Sequence, residues 1–185
     1  ITTNNKKLSD RIKLLRENGI HSIKSKFKNL PYYPNYYEQV DSGFNFRMSE
    51  ISAALVNSQL KKLNFFVNKR NQIAKTYLKL IKNPKFIFQE NSVDAKSSYH
   101  LFVVKLTSQN RNQYLKIFKI FNKNKIFINL HYKALHLNPF FEEMGFKKGQ
   151  FPISENYSYT AFSIPIFVGL AEKNIKKIIS ILNNF

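Results

Sequence analysis

The organisation of this chain turns on Ser42-Gly43-Phe44-Asn45-Phe46-Arg47-Met48-Ser49-Glu50-Ile51. Gly43 permits a tight turn because it has no Cβ. Asn45 and Arg47 lie two residues apart on an extended segment, so both side chains face one direction. A helix is expected from Met48, with Ser49 as its cap and Glu50 in the first turn, where a carboxylate suits the helix dipole. An Asn amide and a guanidinium beside a helix N-terminus make a natural anion site. The same residues also admit a structural role, in which Asn45 caps the helix and Arg47 pairs with Glu38 or Asp41. The residues alone leave both roles open.

Upstream of this turn, residues 4–18 carry Leu8, Ile12 and Leu15 at spacings of four and three. That spacing predicts a helix capped by Asn4 or Asn5 and stopped by Gly19. Residues 21–41 hold Pro31, Pro34 and four Tyr without a regular period, and are expected to be an irregular loop of functional use. Downstream, Ile51, Leu55, Leu60, Leu63, Phe66, Ile73, Tyr77 and Ile81 form a helical stripe from 48 to 82. Asn64 is the expected internal cap that splits it in two. Pro84 stops the helical pattern.

Residues 83–185 then read as a compact α+β domain. Strands are expected at 86–88, 100–106 and 126–130, and at 162–167, where Pro165 marks an edge or a strand end. Helices are expected at 109–123, at 152–160 starting on Pro152, and at 171–184 with Ile175, Ile178, Ile179 and Leu182 on one face. Between them, 131–145 is a loop rich in aromatics. Glu142 and Glu143 are expected on a solvated helix face.

Composition excludes several classes of protein. The 185 residues suit one domain or slightly more. With 18 Phe, 10 Tyr and 43% hydrophobic residues, a packed core is expected rather than disorder. Cysteine is absent, so a disulfide framework is out, and no metal site is expected. His131 and His136 stand five apart but lack an evident third ligand. No apolar run reaches the ~20 residues of a membrane helix, and the N-terminal residues do not resemble a signal peptide, so a cytoplasmic protein with no membrane partner is expected. The five glycines are dispersed, which leaves no phosphate-cradling loop.

The net charge of +19 is the footprint of a nucleic-acid binder, and a basic nucleic-acid module is the rival function. Two features oppose it. The basic residues are 25 Lys against 5 Arg, scattered apart from short runs at 24–28 and 123–125. Arg is the residue expected for bidentate phosphate and base contacts. Lys, Asn, Ile, Phe and Tyr also make up about half the chain, a bias that A/T-rich codons would impose. No nucleic-acid partner is therefore expected.

The segment Gly43-Phe44-Asn45-Phe46-Arg47-Met48-Ser49-Glu50-Ile51-Ser52-Ala53-Ala54-Leu55, followed by the run from Gln59 to Tyr77, closely resembles the sugar-nucleotide aminotransferases of the DegT type. Further segments agree in order: the strand around His100-Leu101-Phe102, the loop from Ile128 through His131-Tyr132 and His136 to Pro139, the Phe151-Pro152 to Glu155 segment, and the run from Phe162 through Pro165 into the last helix. The segments 31–51 and 129–141 are most similar to the branch of the family that aminates a 4-keto-6-deoxy UDP-N-acetylhexosamine in pseudaminic acid synthesis.

The resemblance implies an α/β protein of the type I pyridoxal-phosphate-dependent transferase fold. It implies 1–47 as the tail of the large cofactor domain and an interface loop, 48–82 as connecting helices, and 83–185 as the small C-terminal α+β domain. It implies that the cofactor lysine is absent and that the chain starts just after it, since Ile1 to Leu8 is similar to the turn and helix that follow the lysine. No catalytic residue is therefore expected here, and the chain alone is expected to be inactive. The implied cofactor is pyridoxal 5'-phosphate, the donor glutamate, the acceptor a sugar nucleotide, and the assembly a homodimer with its active site at the subunit interface. Asn45 is implied to bind the cofactor phosphate of the partner. Arg47, His131, Tyr132 and His136 are implied to bind substrate. Packing by Tyr132 and a loop brace by His136 are the structural alternatives, and His100 is expected to be structural. A non-catalytic oligomerisation partner of the same fold is the remaining rival.

Overall fold

A computed structural model describes residues 1–21, 36–92 and 94–185. The run at 24–28 and the Pro-Tyr segment of the expected loop lie outside the described residues. The chain divides into two compact units, Ile1–Lys61 and Lys62–Phe185.

In the first unit, α1 (Lys6–Arg16) starts on Asn5, whose side chain accepts from the Leu8 N–H at 3.1 Å. The helix ends through Asn18 and Gly19, both at positive φ, and Gly19 N–H bonds back to Leu14 O. The next two carbonyls are taken by the turn at 43–47. Phe44 N–H donates to Leu15 O at 2.7 Å and Phe46 N–H to Arg16 O at 3.1 Å, while Asn18 N–H donates to Phe44 O at 2.9 Å. A helix end left bare would strand these carbonyls, and the extended segment satisfies them. Two short strands close the same corner: β1 (Ile20–His21) pairs antiparallel with β2 (Glu38–Gln39). An ion pair between Arg11 and Asp41 lies beside them.

This docking requires two glycines. A Cβ on Gly19 would lie 2.0 Å from Asp41 O, at a φ of +71° that already disfavours a side chain. A Cβ on Gly43 would lie 2.3 Å from Gly19 N. The turn then runs into α2 (Glu50–Leu60), where Ser49 caps as expected by accepting from Ser52 N–H at 3.2 Å. None of the residues in α2 is buried. Ile51, Leu55 and Leu60 of the expected stripe are therefore exposed.

The break in the long helical stretch falls at Lys61–Lys62, not at Asn64. Lys62 precedes α3 (Leu63–Leu80) without a side-chain cap bond. The break coincides with the boundary between the units, and packing explains it better than capping does. α3 buries Ile73, Ala74 and Tyr77 in the second unit.

The second unit is a four-stranded antiparallel sheet in the order β3-β4-β6-β5, built from β3 (Phe86–Phe88), β4 (Phe102–Leu106), β5 (Asn129–Leu130) and β6 (Ala161–Ile164). α3, α4 (Arg111–Lys123) and α7 (Glu172–Asn183) contribute to one core with Phe86, Phe102, Val104, Phe162 and Ile164. Asn110 caps α4, and α7 buries Ile178, Ile179 and Leu182. Two short helices, α5 (Pro139–Glu143) and α6 (Pro152–Thr160), fill the segment between β5 and β6. Glu142 and Glu143 are exposed, as a solvated face requires.

β6 is an inner strand that terminates before Pro165, so the proline marks a strand end rather than an edge. Two buried phenols hold its ends: Tyr114 Oη donates to Ala161 O at 3.0 Å and Tyr77 Oη to Pro165 O at 2.9 Å. Burial pushes the Tyr114 phenol up to about 12, against the opposing pull of Arg111, and raises that of Tyr77 further. The strand expected at 126–130 is shortened to Asn129–Leu130. Asn129 pairs with Ser163, so continuing the ladder would set Phe127 against Pro165, which has no N–H to give.

Gly19→Ala and Gly43→Ala should each destabilise the corner of α1 by about 2 kcal/mol or more, because backbone atoms must move to admit the methyl group. Hydrogen exchange at Asn18, Phe44 and Phe46 should accelerate in both. Gly169→Ala is the control. Its added Cβ would be no nearer than 3.9 Å to the Phe167 ring, and it should exchange like the parent.

Candidate active site

The turn at 43–47 places Phe44 and Phe46 on one side, where their rings stack at 4.9 Å and 4°. Alternation sends Asn45 and Arg47 the other way. Asn45 forms an antiparallel bridge with Glu17, and Arg47 Nε pairs with Glu17 Oε2 at 2.6 Å. The acid partner of Arg47 is thus Glu17, not Glu38 or Asp41, and the cap of α2 is Ser49, not Asn45. The cap is the one local sequence offered, whereas the Arg47 pair is not local. The carboxylate at the C-cap of α1 reaches the turn because α1 lies against it, which no local spacing discloses.

The Asn45 side chain makes no hydrogen bond among the described residues, and the residue is exposed. The first amides of α2 lack acceptors within the helix. An exposed amide, a half-exposed guanidinium and a helix N-terminus fit a phosphate group. Glu17 offsets the Arg47 charge, so an anion there shares or displaces that carboxylate.

The second group lies on the loop after β5. Tyr132 is 70% exposed, so it is not core packing. His131 stands edge-on to the Tyr132 ring at 4.6 Å, and both of its ring nitrogens are buried without a partner among the described residues. His136 lies in a single 3-10 turn (Leu135–Leu137) and is buried. Its Nε2 is 2.9 Å from Glu155 Oε1, and its ring packs edge-on against Phe151. This is the geometry of a loop brace.

Glu155 completes that brace and was not among the residues expected to act. It is buried in the first turn of α6. Oε1 also accepts from Gly149 N–H at 2.6 Å and Phe151 N–H at 3.4 Å. The hydrogen bond from His136 is the largest influence on its carboxyl and, with the two amides, holds it below the usual carboxylate range. An acid at the third helical residue after Phe151-Pro152 was the available signal. Its partner 19 positions upstream was not. His100 is exposed. Among the described residues, no cluster of three or more metal-ligating side chains forms.

Comparison with known proteins gives the class. The profile of the DegT/DnrJ/EryC1/StrS aminotransferase family matches residues 1–183, and the chain belongs to that family. It is 31% identical over 179 residues to the UDP-4-amino-4,6-dideoxy-N-acetyl-beta-L-altrosamine transaminase of Campylobacter jejuni, covering 95% of this chain and 44% of that protein. It is 29% identical over 187 residues to the dTDP-3-amino-3,6-dideoxy-alpha-D-galactopyranose transaminase of Aneurinibacillus thermoaerophilus, covering 100% and 46%. Among solved structures, Helicobacter pylori PseC, an aminotransferase involved in the biosynthesis of pseudoaminic acid, superposes with a TM-score of 0.82 at 27% identity, over 98% of this chain and 47% of that one. The chain has the type I aminotransferase fold expected from its sequence. It spans less than half the length of these relatives.

Glu155→Gln should lower the melting temperature at pH 7, because the amide cannot accept from His136 and two backbone N–H groups as the carboxylate does. A carboxyl depressed in the folded state stabilises above its unfolded pKa of about 4.3, and the gain is lost as pH falls through the lower folded value. Melts from pH 7 to pH 3 should therefore show the gap between parent and variant closing below about pH 4.3. A gap independent of pH would mean that the charge of Glu155 contributes nothing.

Proposed function

We propose that this chain works as part of a pyridoxal-phosphate-dependent aminotransferase that moves an amino group from glutamate to a 4-keto sugar nucleotide, a UDP-linked deoxyhexose. Its place is cytoplasmic synthesis of surface polysaccharide or flagellin sugars. The observation that carries this is the Asn45–Arg47 turn, with its donors set at the start of α2, in a chain whose family consists of aminotransferases. The relatives named above favour a nucleotide sugar but differ in nucleotide and in the position aminated. The UDP-4-keto assignment rests on the 31–51 and 129–141 segments. Among the described residues no helix is long and apolar enough to cross a membrane.

In this proposal Asn45 donates its amide to the cofactor phosphate of a second copy of the chain. The first amides of α2 add the positive end of the helix. Arg47 binds the diphosphate of the sugar nucleotide, exchanging Glu17 for it. Tyr132 presents its phenol to the sugar, and His131, edge-on to that ring, lines the pocket beside it. His136 acts through Glu155 by holding this loop in place. The amino-transfer chemistry itself, a carbonyl that accepts the amine and a ring that stabilises negative charge, is supplied by pyridoxal phosphate when bound. A homodimer is supported by the first unit, where Phe44, Phe46, Met48, Ile51 and Leu55 are all exposed, Ile51 at 84%. An apolar surface of this kind suits burial against another subunit.

In the full-length protein, Asn45→Ala should weaken retention of pyridoxal phosphate about ten- to a hundredfold, the loss of one charge-assisted hydrogen bond. Arg47→Ala should raise KM for the sugar nucleotide with little change in cofactor retention. Mixing an Asn45→Ala chain with a chain lacking the cofactor lysine tests the cross-subunit arrangement. The lysine-bearing site then faces the intact Asn45 of the other chain, and activity should return. A hybrid as inactive as its parents would sink the assignment.

A further inference from the structure

The second unit holds a cavity of about 680 Å³ that none of His131, Tyr132 and His136 lines. Its volume falls within the range of small-molecule sites, roughly 300–1,000 Å³. It opens where β5 parts from β6. Pairing stops at Asn129–Ser163 because Pro165 cannot continue the ladder, and the chain at 126–128 diverges from 164–166. The gap reaches the flank of α7. Ile126, Ile164, Ile166 and Ile178 make the apolar floor.

The charged side chains around this floor are cations, and His100 lines it as well. Lys125 and Lys177 line the cavity, and no Asp or Glu does. Lys177 Nζ donates to Asn124 O at 3.0 Å, which fixes the ammonium at the rim and leaves it further N–H groups to give. Lys125 is held at a φ of 56° by a helix-end turn, in which Ile126 N–H bonds to Phe121 O at 3.0 Å and Lys125 N–H to Asn122 O at 2.9 Å. Glycine is usual at that position, and a lysine there is uncommon. Asn129 and Asn174 add amides. Ser163 also lines the cavity. It is 6% exposed, and its hydroxyl has no hydrogen-bond partner among the described residues.

We propose that this cavity is a ligand site for a small organic anion: one carboxylate or phosphate group on a compact apolar body. The body lies on the isoleucine floor. The anionic group meets Lys125 and Lys177, and Ser163 donates its otherwise unused hydroxyl. Neither a neutral molecule of the same shape nor a bare inorganic anion uses both halves of the cavity.

Isoleucine methyl NMR on the full-length protein tests this, with benzoate, phenyl phosphate, benzyl alcohol and inorganic phosphate as probes. Benzoate or phenyl phosphate should shift Ile126, Ile164, Ile166 and Ile178 saturably, and their relative affinities identify which anionic group is preferred. Benzyl alcohol should bind about tenfold more weakly or worse, the loss of one charge-assisted contact. Inorganic phosphate should leave the floor methyls in place. Lys125→Gln, which removes no hydrogen bond seen in the structure, should weaken the organic anion several-fold and leave benzyl alcohol unchanged. Lys177→Gln should do the same, with some local rearrangement at Asn124. Equal affinity for benzyl alcohol, indifference to both lysine variants, or shifts confined to other isoleucines would overturn the proposal.

Discussion

The last carbonyls of α1 accept from the amides of Phe44 and Phe46, and the first unit is organised by that pairing. A helix end offers acceptors that have no partner of their own. Here they are used to hold an extended segment rather than left to water. Because the segment is pinned at alternate amides, its side chains alternate too, with stacked phenylalanines on one side and Asn45 with Arg47 on the other. The two glycines allow the approach. Glu17, at the end of the same helix, is then in place to pair with Arg47. One set of backbone hydrogen bonds thus decides both the geometry of the turn and which carboxylate stands beside Arg47.

The same economy recurs in the second unit. Loop and strand-end groups are satisfied by single buried side chains instead of by ladders. Glu155 gathers His136 and the amides of Gly149 and Phe151 on one oxygen. Tyr114 and Tyr77 close the two ends of β6. Each such group is costly to leave unpaired once buried. Each therefore fixes a segment that has no regular structure of its own. The loop bearing Tyr132 is held in this way, through His136, while Tyr132 stays exposed.

The exposed apolar residues of α2 and the preceding turn contrast with this. No residue of α2 is buried, whereas α3 buries Ile73, Ala74 and Tyr77. Exposed apolar residues gathered in this way leave a face that suits burial against another surface. Pro165 has the opposite character. It ends a ladder, shortens β5, and leaves a gap whose lining is apolar below and cationic above.

Local pattern was sufficient for most elements. Asn5, Ser49 and Pro152 mark helix starts, and β3, α6 and α7 lie within a residue or so of their expected limits, because caps, prolines and periodicity act over a few positions. The Asn45–Arg47 turn was legible for the same reason, and the order of motifs along the chain pointed to the family. Tertiary structure alone decided the rest. Glu17 beside Arg47, Glu155 beside His136, the length of β5 and the break at Lys61–Lys62 depend on groups that are distant in sequence. A stripe of leucines specifies that a face is apolar, but whether it is buried depends on what packs there. A histidine or carboxylate carries the same local signal whether it faces solvent or a buried partner, so pairing and burial emerge only when the chain is folded.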